Sequence, residues 1–224
     1  MQNLPFYIPA LFIVTTALAV WMMFKAAKNA GLFLILVLVW LSIQAVVGLS
    51  GFYLDLKSTP PHFIWLLLPP LIAILIILFT AKGRAWLDNL DLKTLTWLHV
   101  VRIPVEVVLY LLFTQKLLPK IMTFEGNNFD ILCGISAIMV GVLLFRGGKI
   151  RRNGLLIWNV ACLMLLVNIV YLAVFSTPMP FQKFGFDQPN IAIFYFPFIW
   201  LPCCVVPLVL LAHVAAIRQL LKQK

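Results

Sequence analysis

Residues 31–53 read GLFLILVLVWLSIQAVVGLSGFY, twenty-three consecutive positions without a charged side chain. A helix crossing the roughly 30 Å hydrocarbon layer of a bilayer needs about 20 predominantly apolar residues, so this stretch alone is long enough to span. Charged residues mark off similar runs on both sides of it. Residues 5–24 precede it and end at Lys25 and Lys28; residues 63–80 follow Asp55, Lys57, Pro60 and Pro61 and end at Lys82 and Arg84. Further along lie the runs 95–118, 129–145, 155–175 and 191–217. The expectation is an all-α, polytopic transmembrane helical bundle of seven spans, forming a single domain over residues 1–224. Between the third and fourth runs, Trp86, Leu87, Leu90 and Leu92 stand among Asp88, Asp91 and Lys93, the pattern of an amphipathic link lying in the membrane interface.

Composition agrees with lipid as the solvent. Of 224 residues 63% are apolar and 11% charged, with a mean hydropathy of +1.06, whereas a soluble domain is about a quarter charged. Seven spans leave no room for a sizeable extramembrane domain, so binding or catalysis must use the bundle or its short loops. The net charge of +10 is not a nucleic-acid footprint, because its positions alternate. Twelve of the 17 Lys and Arg residues fall in the loops 25–28, 82–93 and 146–152 and in the tail 218–224; four fall in 54–62, 116–130 and 176–190, and Arg102 lies inside a run. By the positive-inside rule the twelve-residue side is cytoplasmic. That places the N-terminus outside and the C-terminus in the cytoplasm, and it requires an odd number of spans. No basic residue precedes the first run, which therefore reads as a retained span rather than a signal peptide. Cys133, Cys162, Cys203 and Cys204 all lie in apolar runs, the placement of buried reduced thiols rather than of a disulfide framework.

The fourth run carries the clearest chemical signal. His99, Arg102, Glu106 and Tyr110 are spaced i, i+3, i+7 and i+11 and share one helical face. An ionisable group at the bilayer centre costs at least ~2.5–3.5 kcal/mol, so such groups turn toward the bundle interior or a wet cavity. Arg102 and Glu106, four apart, are placed to pair, and Pro104 removes a backbone donor between them. The structural alternative is an ion pair that merely fixes helix packing. After this run comes Met122-Thr123-Phe124-Glu125-Gly126-Asn127-Asn128-Phe129-Asp130. Its carboxylates and amides could hold a cation or line the mouth of a cavity reaching Glu106; equally, Asn128 or Asp130 could cap the fifth span. Five of the seven acids, Asp55, Glu106, Glu125, Asp130 and Asp187, fall in the outer half under this topology.

His99 and His213 both sit about one turn inside the cytoplasmic boundary, at similar depth on different helices. Two such residues could ligate a haem iron or share a metal ion, against the alternative that each makes a polar contact of its own. His62 falls on the opposite side. In the seventh run Pro197, Pro202 and Pro207 interrupt successive backbone bonds, so the helix there should be bent or partly unwound. Its outer aromatics, Phe194, Tyr195, Phe196, Phe198 and Trp200, suit an interfacial belt. Gln44, Asn159 and Asn168 suit interhelical hydrogen bonds.

Several activities lack their residues. The seventh run has no lysine for a retinal Schiff base, no two histidines share a run as in the membrane metal hydrolases, and P-loop, GxSxG and CxxC patterns are absent. The 33 residues from Leu98-His99-Val100-Val101-Arg102-Ile103-Pro104-Val105-Glu106 through the Met122–Asp130 stretch resemble a family of uncharacterised bacterial integral membrane proteins. That resemblance implies the inner (cytoplasmic) membrane of a bacterium and no assigned activity. It also treats the fourth run and the following loop as a unit. The leading expectation is a protein that binds or transports a small ligand or ion in a bundle pocket open to the outside. Arg102 and Glu106 would form its polar core, with Tyr110, Glu125, Asn128 and Asp130 toward its mouth. A metal or haem enzyme built on His99 and His213 is the second expectation. An assembly subunit whose polar face meets a partner protein is the third, and a homo-oligomer stays open.

Overall fold

The computed structural model describes residues 4–145 and 151–222. Arg146, Lys149 and Lys224 of the basic count, and the first three residues, lie outside the described residues. The described chain is helical, with no strand among the described residues. Its helices are α1 (Tyr7–Ala26), α2 (Gly31–Leu49), α3 (Ile64–Phe79), α4 (Ala81–Asp88), α5 (Leu92–Leu98), α6 (Arg102–Thr114), α7 (Asp130–Leu143), α8 (Arg152–Phe175) and α9 (Val206–Lys222).

Among the described residues, five helical stretches are long and apolar enough to cross a membrane: α1, α2, Leu92–Thr114, α8 and Leu201–Lys222. They are six if α3 and α4, which meet at 90°, count as one broken span. The fifth apolar run forms the 14-residue α7. Each of the seven runs thus contains a helix, but two of them are shorter or more bent than uniform hydropathy suggests. The bend after α3 has a local cause. Thr80 leaves helical geometry and its hydroxyl accepts from the Gly83 amide at 3.1 Å, capping α4; side-chain acceptors at this position satisfy otherwise orphaned N–H groups.

In the fourth run, Pro104 has no N–H for the carbonyl one turn back. The chain answers with a tighter 3₁₀ turn at His99–Val101 between α5 and α6, so Leu92–Thr114 changes winding without breaking. The seventh run is unwound further, as its prolines demand. Residues 191–200 are turns and a 3₁₀ segment, Leu201–Val205 is a π-helical turn, and regular α-helix begins only at Val206. Pro207 cannot donate to the carbonyl of Cys203, and the Trp40 indole N–H from α2 does so instead, at 2.9 Å.

The two ends of the bundle are tied differently. At one end, the 181–194 segment closes over the helix ends: Ile191 and Ala192 donate to the Leu117 carbonyl, Gln188 to Phe113 and Leu118, and Phe63 packs on Phe181 and Phe194. At the other end, Asp88 in the link accepts from Arg218 at 2.8 Å and from Lys222, Arg152 donates to the Leu220 carbonyl, and the Asp91 backbone amide donates to the Ala26 carbonyl. Hydrogen bonds from Arg218 and then Lys222 hold the Asp88 carboxyl below its ordinary range. A depressed carboxylate stabilises the fold above its unfolded-state pKa of about 3.9 and loses that contribution as pH falls toward its folded value. The pairs are partly exposed, so the effect is about 1 kcal/mol or less. Asp88→Asn should therefore melt slightly below the parent at pH 7, and the two melting points should converge as pH falls through the lowered folded-state pKa of Asp88. A gap that stays constant with pH would show that the pairing adds nothing.

Candidate functional site

Helix α7 approaches the start of α6 through its small residues. A Cβ placed on Gly134 would meet Ile103 Cγ1 at 2.7 Å and the Ile103 amide nitrogen at 3.0 Å, and one on Gly141 would meet the Trp97 indole at 2.8 Å. With Ala137 between them, these residues give one buried small-residue face, which lets two membrane helices come close. Asp130 lies one turn before Gly134 on the same face, and the close approach brings its carboxylate to Arg102.

Arg102 Nε lies 2.8 Å from Asp130 Oδ2, with both side chains almost wholly buried. This is a short ion pair rather than a well-directed hydrogen bond. One terminal guanidinium nitrogen donates to the Cys162 carbonyl on α8 at 3.1 Å, and the other faces His213 Nε2 at 3.4 Å. Arg102 therefore joins α6, α7, α8 and α9. The i, i+4 pair expected between Arg102 and Glu106 does not form. Glu106 Oε1 instead accepts from Asn128 Nδ2, which also donates to the Met122 carbonyl, while Asn128 Oδ1 accepts from the Asp130 amide. Among the described residues, Glu106 Oε2 and Asp130 Oδ1 have no hydrogen-bond partner, and both are shielded from solvent.

Arg102, Glu106 and Asp130 border a cavity of about 80 Å³. Its other walls are almost entirely apolar, from α3 (Leu66), α8 (Leu166, Ala173) and the α9 segment (Val205). A water molecule needs roughly 10–15 Å³ by this measure, so the space suits several waters or a compact organic group. Phe63, Met122, Thr177 and Ile193 line it where α3 begins, α6 and α8 have ended, and the last segment begins. The cavity therefore reaches toward that end of the bundle. Three acidic and basic groups meet there with one positive charge against two carboxylates.

Of the other residues expected at the site, Asn128 is buried as the bracket for Glu106. Tyr110 stacks on Phe124 at 4.9 Å, and Glu125 is exposed, with Lys120 at 3.6 Å; neither borders the cavity. His62 stacks on Phe52 at the same end of the bundle, far in sequence from the other two histidines. His99 and His213 come together: their rings stack at 3.9 Å and 19°, with Trp158 edge-on to His99. Rings in face contact leave no slot for a porphyrin, whose axial ligands approach iron edge-on from opposite sides. Asn159 Oδ1 meets His213 Nδ1 at 3.0 Å, and Asn168 donates to the Asn127 carbonyl, so both asparagines bridge segments. Tyr53 donates to Gln44, a contact back to its own helix's end rather than across the bundle. Cys133, beside His99 and His213, and Cys162, beside Cys133, read from the sequence as buried reduced thiols; they are buried and free as expected but also adjoin the charged cluster, an adjacency that sequence reasoning passed over. Their signal was periodic: Cys133 follows Asp130 by three on α7, and Cys162 follows Asn159 by three on α8.

Fold and site together define a helical membrane-type protein with a charged cluster in its interior. A family model described as a domain of unknown function (DUF8737) matches residues 60–221, and the chain belongs to that family. No curated protein and no solved structure matches the chain. The matched region holds every residue of the Arg102 cluster and begins just before α3, leaving α1 and α2 outside it.

Proposed function

We propose that the protein binds and carries a small cationic ligand through the cavity beside Glu106. The observation that supports this most is the charge imbalance. Arg102 is committed to Asp130, and Glu106 keeps an unpartnered oxygen at the edge of an apolar cavity. A lone buried carboxylate is costly unless a proton or cation neutralises it, and intramembrane ionisable groups mark substrate or ion paths. Glu106 is the binding carboxylate, Asn128 orients it, and the Arg102–Asp130 pair fixes the cavity wall. The apolar walls accept methyl or methylene groups around the charge.

The reading includes a topology of seven spans in a bacterial inner membrane, with the N-terminus outside and the C-terminus in the cytoplasm. The twelve-to-four distribution of basic residues supports it, and the cavity then opens to the outside. Helix α7 is about 21 Å long at 1.5 Å per residue, short of the full hydrocarbon thickness, and its buried small-residue face suits a span packed deep in a bundle.

Tetramethylammonium is a suitable probe: it carries its charge at every pH and does not cross a bare bilayer. Proteoliposomes of the parent protein should take up the labelled cation faster than protein-free vesicles. Ala173→Phe, which puts a ring into the cavity, should return uptake to the vesicle background. Uptake equal to background in the parent, or undiminished in Ala173→Phe, would overturn the assignment.

A further inference from the structure

A second cluster lies on the other side of Arg102. His99 from the turn before α6, Cys133 from α7 and His213 from α9 each offer a ligand atom, all within 4.8 Å of one another. All three residues are sealed from solvent. Both ring nitrogens of His99 lack a hydrogen-bond partner among the described residues. An imidazole always carries at least one N–H or lone pair in need of one, and leaving it unmet in a core is unfavourable. A phenylalanine would give the same stacking without that penalty. His213 is oriented as metal-binding histidines are. Its Nδ1 meets the side-chain oxygen of Asn159 at 3.0 Å, which fixes the proton there and leaves Nε2 with its lone pair as an acceptor. The partner on that side, Arg102, stands at a long 3.4 Å.

We propose that His99, Cys133 and His213 form a buried site for one soft monovalent transition-metal ion of the copper(I) class. Two imidazoles and a thiolate suit copper(I) and zinc by ligand softness. Charge separates the two. Arg102 is already balanced by Asp130, so the neutral site tolerates an exchange that keeps its charge. When the Cys133 thiol gives its proton to solvent and binds a monovalent ion, the net charge is unchanged. A divalent ion would add a full positive charge beside a guanidinium in the membrane interior, where uncompensated charge is strongly disfavoured. The spacing is compatible with low coordination. In a three-coordinate site, metal–nitrogen and metal–sulfur bonds of about 2.0 and 2.3 Å set neighbouring ligand atoms about 3.5–3.7 Å apart, so ligand atoms that lie within 4.8 Å of one another close by up to about 1 Å through side-chain rotation. The stacked rings must slip from face contact to bring their nitrogens inward.

The test needs neither the cavity nor Glu106, so its failure leaves the transport reading untouched. Detergent-purified protein is exposed anaerobically to copper(I) buffered by a competing chelator, freed of excess, and counted for copper per chain. The parent should retain one copper per chain, and X-ray absorption should show one sulfur and two nitrogen neighbours. Cys133→Ala and His99→Phe should each retain less than a tenth as much while staying monodisperse. The double variant Cys203→Ala/Cys204→Ala should retain it in full, since those thiols lie elsewhere, in the π-helical turn. No copper on the parent, equal retention in Cys133→Ala and His99→Phe, or retention of zinc(II) in preference to copper(I) would overturn the proposal.

Discussion

Arg102→Leu lowers the unfolding free energy by about 3–5 kcal/mol, the range for breaking a buried ion pair from one side. The guanidinium ties together four helices through Asp130, the Cys162 carbonyl and His213. Leucine fills part of the volume but leaves the Asp130 carboxylate without a counter-ion and the carbonyl without a donor. The loss is chiefly electrostatic, so a second substitution should reverse much of it. Arg102→Leu combined with Asp130→Asn removes the uncompensated charge and should recover at least half of the stability. Denaturant titration in mixed micelles, followed by tryptophan fluorescence, measures all three variants. A double variant no more stable than Arg102→Leu alone would mean that packing, not charge, explains the cost.

Glu106→Gln has the opposite profile: the fold survives and ligand handling fails. The Gln carbonyl oxygen can keep the bond from Asn128 Nδ2, and the neutral amide ends the burial of an unpaired carboxylate. Stability should therefore match or exceed that of the parent. The charge that draws the cation is gone, however, and truncating one partner of a buried charge interaction costs about 2–5 kcal/mol. Uptake of tetramethylammonium into proteoliposomes should drop at least tenfold at sub-saturating concentration. A variant that is both unstable and inactive would instead assign Glu106 to the scaffold.

The helical character of every apolar run was legible in the sequence, because uncharged stretches near 20 residues admit few other structures in lipid. Helix geometry within those runs was less so. Thr80 turns the chain by 90° and the prolines of the last run delay regular helix to Val206; local backbone chemistry, not hydropathy, sets these breaks. The polar face of the fourth run was readable as far as Glu106. One turn further, Tyr110 meets Phe124 of the returning loop rather than the cavity, and no periodicity within one helix reports where a loop will fold. The partner of Arg102 was hidden for a related reason. The i, i+4 rule favours Glu106, but the spacing of Gly134, Ala137 and Gly141 sets how α7 docks and carries Asp130 to the guanidinium. That small-residue face is visible in the sequence, though which helix it meets is not. The matched depth of His99 and His213 could be counted from the span ends, whereas the thiol beside them depends on that same docking of α7.

Equilibrium binding of labelled tetramethylammonium to the purified protein, with Glu106→Gln alongside, tests most directly whether Glu106 holds a cation. One cation should bind saturably per parent chain, with an affinity at least tenfold weaker in the variant. Saturable binding of equal strength in both proteins, or none in the parent, would contradict that role.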